Sequence, residues 1–437
     1  MLGAVRRNTE LGLIVLGTLV TVGAYLLASL AEDARIPVNI GPVLAVVLGL
    51  QLAAHLAIRR LAPDADGTLV AIAGLLNGLG YVFIVRIDEA KVEPQGLAGL
   101  QSAWAAVGIG AFIATLVLIR RVRDLERYRW TIGFIGIGLL LLPLVPGVGR
   151  TINGAKIWVG IGPISFQPGE FAKILLAIFF ASYLVEKREL LAVSSFRIGP
   201  IALPDPKHLG PVLLAWGVSL VVMVSEKDLG SSLLFFALFV ALLWVSTERA
   251  SYLVVGVVLF AGGAAFAHSQ FDHVQERVAI WTDPWSGNRP KDEGFQIVES
   301  SFAFSAGGVT GTGINLGSPT RIPYAETDFI FAAIGEELGL LGATGVLIAF
   351  VLMIGAGLRI ALRTTVPFER LLATGLTVLL GVQSFIIIAG VIRVLPLTGV
   401  TLPFVSYGGS SLIANYVLIA LLLRISDDTA HREAGPA

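Results

Sequence analysis

Residues 323–358 read PYAETDFIFAAIGEELGLLGATGVLIAFVLMIGAGL. From Phe329 the run is apolar for about thirty residues, interrupted by charge only at Glu336 and Glu337. About twenty such residues cross the hydrocarbon of a bilayer, so this stretch reads as a membrane span. Asp328 stands where the span meets a loop of roughly sixty residues. An acid at that depth is costly and by default marks function. The plainer reading is a solvated helix cap, for which Thr327-Asp328 has the right chemistry. The stretch alone leaves both open.

Working outward, the same pattern recurs near 10–30, 40–58, 68–85, 99–119, 130–147, 170–185, 208–224, 229–246, 251–268, 371–392 and 403–423. The expectation is an all-α polytopic membrane protein of about twelve spans. The pair within 208–246 is separated only by Ser225-Glu226-Lys227-Asp228. Composition agrees: 55% of the 437 residues are hydrophobic and 14% charged, too few charges to coat a soluble protein of this length. Fifty glycines suit close helix packing in lipid. Net charge is zero, which gives no basis for a nucleic-acid partner. With no cysteine, thiolate metal sites and cysteine nucleophiles are excluded. His268 and His273 are the nearest thing to a ligand pair and read as a chance pair at a membrane surface. Arg6 and Arg7 precede a first apolar run too long for a signal-peptide core, so that run reads as a retained span.

Basic residues gather in alternate loops: Arg59-Arg60, RRVRDLERYR at 120–129, EKRE at 186–189, then Arg249, Arg359, Arg363, Arg370 and Arg424. The positive-inside rule places these loops and both termini in the cytoplasm. The loops at about 148–169 and 269–328 then lie outside. No soluble cytoplasmic domain or P-loop is present, which argues against an ATP-driven machine.

The unusual residues collect on the outer side. GVGRTINGAKIWVGIGPISFQPGEFAKILL (147–176) offers Arg150 and Lys156, then Glu170 and Lys173 at i, i+3 on one helix face. That pair either locks the helix start or faces a substrate. SEKDLGSSLLFF places Asp228 before Gly230, Ser231 and Ser232, as a capping acid or a binding group. The large loop carries Trp281, Trp285, Arg321 and GGVTGTG (307–313), whose glycines read as flexible backbone rather than a phosphate loop. The last outer segment, VIRVLPLTGVTLPFVSYGGSSLIANY, contributes Arg393 and a kinked, small-residue helix around Tyr407 to Ser411, with Ser410 a candidate contact. Broken backbone at this depth is tolerated where it lines a cavity or is covered by protein, so three such segments imply a shared outer cavity.

QPGEFAK, EKDLGSS, TDFIFAAIGEELG and LPLTGVTLPFVSYGGSS follow one another in this order. Together they resemble the SEDS family (shape, elongation, division and sporulation), of RodA/FtsW type, over about residues 130–425. The resemblance implies a ten-span helical core, here 66–425, with an added N-terminal hairpin at 1–65 and a cytoplasmic tail at 426–437. The extra hairpin leans toward the RodA-like branch. It also implies a membrane glycosyltransferase that polymerises lipid II into peptidoglycan glycan strands beside a class B penicillin-binding protein, at the outer face of a bacterial cytoplasmic membrane. The family's catalytic acid maps to Asp328, and its Gln-Pro-Ser-Glu-Phe-Ala-Lys motif maps to residues 167–173, with Gly169 in place of Ser. Three features depart from the family: Pro323-Tyr324-Ala325-Glu326 replaces Pro-Glu-X-His, Ile387 stands where Asn is common, and the loop at Asp283-Pro284 is about two residues longer.

On that reading Asp328 accepts the proton of a sugar hydroxyl attacking an anomeric carbon. Lys173, Arg150, Lys156, Arg321 and Arg393 are candidates to stabilise the lipid pyrophosphate leaving group. No motif demands a cofactor; a divalent cation, magnesium or manganese, bridging Asp328 and pyrophosphate would suit the oxygen ligands. A lipid II flippase would use the same charges but also call for inward-facing polar sites and two related halves, neither of which is visible. A non-catalytic scaffold would leave the outer acids and bases unexplained.

Overall fold

The computed structural model describes residues 2–33, 40–152, 155–161, 164–192, 196–198, 201–203, 217 and 228–434. Thirteen α-helices dominate them: α1 (Leu2–Asp33), α2 (Ile40–Leu61), α3 (Thr68–Glu89), α4 (Leu97–Leu118), α5 (Arg129–Leu141), α6 (Pro168–Ala192), α7 (Leu229–Thr247), α8 (Ser251–Gln270), α9 (Asp272–Thr282), α10 (Phe295–Gly307), α11 (Ile330–Arg363), α12 (Pro367–Val391) and α13 (Gly409–Ala434). Nine helices among the described residues are long and apolar enough to cross a membrane. Helices also occupy the expected spans near 40–58 and 130–147. The expected span at 208–224 lies, apart from Gly217, outside the described residues. The chain is a mostly helical, multi-pass membrane protein.

Two short β elements add to the helical expectation. The segment after α5 folds into a three-stranded antiparallel ribbon: β1 (Gly149–Ile152), β2 (Ala155–Ile161) and β3 (Ile164–Phe166). β4 (Phe196–Ile198) and β5 (Ile201–Leu203) form a hairpin. In a short segment without helical partners, pairing its own strands satisfies the backbone.

The chain divides into two compact units. One comprises residues 1–120, 277–356 and 383–437. Here α3 is the buried centre, apolar on nearly every face, as a helix enclosed by other helices should be. Glycines let it be approached closely: a Cβ on Gly78 would lie 2.2 Å from Thr21 Oγ1, and one on Gly80 would lie 2.3 Å from the Val405 carbonyl oxygen. Arg424, which the charge pattern marks only as cytoplasmic, caps two neighbours. Its guanidinium donates to the carbonyls of Leu61, Leu116 and Ile119 at 2.7, 2.6 and 2.9 Å, filling acceptors left open at the ends of α2 and α4.

The other unit comprises residues 121–276 and 357–382. α5 packs its glycines on α6, with Gly136 against Leu176 and Gly133 against Phe179. Phe180 of α6 meets Phe239 of α7 edge to face at 5.9 Å. Arg129 pairs with Glu186 at one end of the α5–α6 contact.

The long loop before α11 differs most from expectation. GGVTGTG is not free backbone: Thr312 and Gly313 donate to the carbonyls of Glu336 and Glu337, and Leu340 and Leu341 donate back to Gly308 and Val309. α11 breaks at Gly339 (φ 65°, ψ −164°) to permit this exchange, in a region of backbone space that is essentially glycine's alone. Glycine thus serves close docking here rather than mobility. The expected kink around Tyr407 to Ser411 is also corrected. The break precedes the helix, α13 starts cleanly at Gly409, and a Cβ on Gly409 would collide with the Trp104 ring at 2.3 Å.

Candidate active site

Asp328 sits in the turn 323–329 that leads into α11. The turn is fixed from two sides. Tyr407 N–H donates to the Glu326 carbonyl at 2.8 Å, and Ser406 Oγ donates to the Thr327 carbonyl at 2.5 Å. Asp328 N–H itself donates to the Tyr324 carbonyl. The VSYGG segment therefore holds the backbone that carries the acid, although 79 residues separate Ser406 from Thr327.

The carboxylate is half-buried. Burial pushes its pKa up from 3.8 to about 6, against the pull of the Arg277 guanidinium and a hydrogen bond with the Thr327 side chain. Arg277 also donates to the Leu397 carbonyl at 2.9 Å, which brings the PLTGV segment to the same place. A Cβ on Gly399 would lie 3.7 Å from Asp328 Oδ2. Next to it, the Thr398 hydroxyl is buried without a hydrogen-bond partner.

Glu326, a second acid on the turn that carries Asp328, pairs with Lys91 Nζ at 2.6 Å and so brings a second cation to it. Glu336 and Glu337, the charges that interrupt the apolar run, are clamps. Glu337 binds Arg86 Nε at 3.0 Å and accepts from Asn315 N–H at 3.0 Å. Glu336 accepts from Ser318 N–H at 2.9 Å, and Arg86 reaches the Gly317 carbonyl at 2.9 Å. These bonds pin the loop 311–318 to α11.

Of the other candidates in this unit, Arg321 is exposed in a short 3₁₀ turn upstream of Asp328. Arg393 takes a left-handed conformation (φ 64°). Its carbonyl accepts from Trp281 Nε1, and its guanidinium reaches the Thr282 carbonyl. Trp281 therefore anchors the segment after α12 to α9, while Trp285 lies edge-on to Phe302. Ser410 is buried in the first turn of α13.

In the second unit, Lys173 and Glu170 form a buried ion pair at 2.8 Å at the start of α6. Asp228 caps α7, accepting from Ser231 N–H at 3.0 Å. Gln167, Gly169, Asp228 and Ser231 line one small cleft, so the QPGEFAK and DLGSS motifs meet. Arg150 on β1 is exposed and reaches Ser165 Oγ at 3.5 Å, and Lys156 on β2 is half-buried.

Sequence reading missed Arg277, Lys91, Thr398 and Arg86. The partners of Arg277, Lys91 and Arg86 lie between 51 and about 250 positions away, a separation at which no local spacing signals a contact. The one hint was that Lys91 sits in an outer loop otherwise poor in basic residues. Among the described residues, the group able to offer three metal-ligand atoms within 4.8 Å is Asp64, Asp427 and His431. It lies beyond the other end of α3, about 33 Å away along a 22-residue helix.

The family model FtsW/RodA/SpoVE, described as "Cell cycle protein", matches residues 67–431. "Peptidoglycan glycosyltransferase RodA" of Mycobacterium tuberculosis (strain ATCC 25618 / H37Rv) is 44% identical over 426 residues, 96% of this chain and 90% of that one. "Probable peptidoglycan glycosyltransferase FtsW" of Geobacter sulfurreducens (strain DL-1 / KN400) is 34% identical over 83% of this chain and 95% of that one. Among solved structures, one described as "Structural coordination of polymerization and crosslinking by a peptidoglycan synthase complex" aligns with a TM-score of 0.68 at 26% identity, covering 84% of this chain and 98% of that one. Thermus thermophilus rod shape determining protein RodA aligns with a TM-score of 0.59 at 26% identity, covering 83% and 97%. With a family match across most of its length and RodA relatives at this identity, the chain belongs to the FtsW/RodA/SpoVE family.

Proposed function

We propose that this chain polymerises lipid II into peptidoglycan glycan strands, with Asp328 as the general base. The observation that carries the reading is the Asp328 carboxylate itself, held on a rigid turn and raised to about 6 beside Arg277. A base with a pKa near the working pH is mostly ionised yet still takes up a proton readily. The attacking sugar hydroxyl is a poor nucleophile. As its oxygen bonds to the anomeric carbon, its proton passes to Asp328, and the bond to the lipid pyrophosphate breaks.

The departing diphosphate needs cations. In the unit that carries Asp328, Arg277, Lys91 and Arg321 are the groups to supply them, and the unpartnered Thr398 hydroxyl is a polar contact for substrate. Lys173 and Glu170 read best as a buried pair that sets the start of α6, and Asp228 as a helix cap. A divalent ion at this site would take one carboxylate from Asp328 and its remaining ligands from phosphate oxygens and water, as magnesium commonly does.

The wider reading keeps twelve spans, with residues 1–65 as a hairpin added to a core at 66–425 and both termini in the cytoplasm; the family match beginning at residue 67 supports that boundary. The active site faces outward, where lipid II is consumed, and the partner is a class B penicillin-binding protein that crosslinks the strands. The test is to reconstitute the purified chain in liposomes with labelled lipid II, with and without that partner, and to follow polymer and transbilayer movement separately. Polymer without accelerated lipid movement is the expected result. Lipid movement without polymer would overturn the reading in favour of a flippase.

A further inference from the structure

Between α2, α3, α4 and α13, inside the span-forming region, lies a cavity of about 260 Å³. Val47, Leu50 and Ile109 give it apolar walls, and Gln51, Asn77 and Gln101 place amides in it. Gln101 is fully buried, and neither atom of its amide has a hydrogen-bond partner. Asn77 donates to Tyr416 Oη at 3.1 Å, while its carbonyl oxygen also lacks a partner. Gly74 leaves room for the Gln51 amide, which a Cβ there would meet at 2.4 Å. The unpartnered Gln101 amide and Asn77 carbonyl are expensive inside a helical bundle unless something bonds to them.

The depth is readable from the helices. Gln101 lies four residues into α4 and Asn77 twelve residues before the end of α3, or about 6 Å and 18 Å from that boundary. Lys91, just past the same end of α3, pairs with Glu326 on the Asp328 turn. The cavity therefore runs from the half of the bilayer nearer Asp328 down to about the midplane.

We infer that this cavity binds a neutral glycerolipid of the diacylglycerol class, entering from that leaflet between the N-terminal hairpin and the core. Its ester carbonyls accept from the amide NH₂ groups, its single hydroxyl donates to an amide oxygen, and its acyl chain covers Val47, Leu50 and Ile109. A phosphate group does not suit a site in which none of the described lining residues is charged. A bare prenyl chain would leave the Gln101 amide and the Asn77 carbonyl unsatisfied. Water would satisfy the amides but wet the apolar walls.

The test uses the full chain in nanodiscs of phosphatidylcholine and phosphatidylglycerol doped with a diacylglycerol that carries a diazirine on one acyl chain. After irradiation, labelled peptides are mapped by mass spectrometry. Label should concentrate on residues 46–51 and 101–109 and fall several-fold with excess unlabelled diacylglycerol, but not with excess phosphatidylcholine. Gln101→Leu should lose most of this label while keeping its melting midpoint. Val47→Trp, which fills the space and leaves the amides in place, should do the same and carries the test if Gln101→Leu fails to fold. Label spread evenly over lipid-facing helices, or competed equally by phosphatidylcholine, would overturn the site. Label undiminished in a folded Gln101→Leu variant would do so too, leaving a cavity that holds water only.

Discussion

At the scale of single residues the account turns on the ionisation of Asp328. Burial favours the neutral acid, so the charged form predominates only above about pH 6. Polymer synthesis should therefore rise as pH climbs through about 6 and level off above it, a profile measurable by initial rates in mixed buffers. Arg277 is the group that holds this value down. In Arg277→Gln the acid limb should move to higher pH and the rate at pH 7 should fall; an unmoved limb would show that Asp328 is not the titrating base. The same shift has a stability consequence. An acid whose pKa is raised on folding, here from 3.8 to about 6, costs stability as pH rises through that window. Asp328→Asn should accordingly melt higher than wild type at pH 7. Asp328 was visible in sequence because it sits at a hydrocarbon boundary within a specific motif. Arg277 and Lys91 were not, because only the folded chain brings them there.

At the scale of elements, the break in α11 is the informative feature. Gly339 combines a left-handed φ with a site where a Cβ would lie 2.3 Å from the Gly311 nitrogen. Gly339→Ala should therefore lose at least about 3 kcal/mol, from backbone strain and from undocking of the 307–313 loop; denaturation in detergent measures it. The Arg86–Glu337 pair makes a complementary test. Arg86→Met strands a buried carboxylate and should cost about 3–5 kcal/mol, whereas Arg86→Met with Glu337→Met should recover much of that loss. Helix positions were legible from apolar runs, which encode burial in lipid. The docked GGVTGTG loop was not, because glycines that permit flexibility and glycines that permit close approach look alike in sequence. The β1–β3 ribbon was hidden for a related reason, since three short strands carry too little periodicity to separate from a loop.

At the scale of the whole molecule, the apolar composition and the order of four motifs were enough to place the chain in its family, and pairings across hundreds of residues then complete the site. The family match begins at residue 67, yet the helices before it are packed: α1 fits Thr21 against Gly78 of α3, and Glu10 bonds to His55 of α2 at 2.8 Å. A chain lacking residues 1–65 should retain polymer synthesis with a lower melting midpoint, and loss of synthesis in a folded truncation would make the hairpin part of the catalytic core. The decisive assay is glycan polymerisation from labelled lipid II by purified wild type and Asp328→Asn, each supplied with a class B penicillin-binding protein and each confirmed folded. The account predicts polymer from wild type and a rate lower by about 100-fold or more in the variant. An Asp328→Asn protein that polymerises like wild type would contradict it, and would return Asp328 to the role of a polar residue at a helix start.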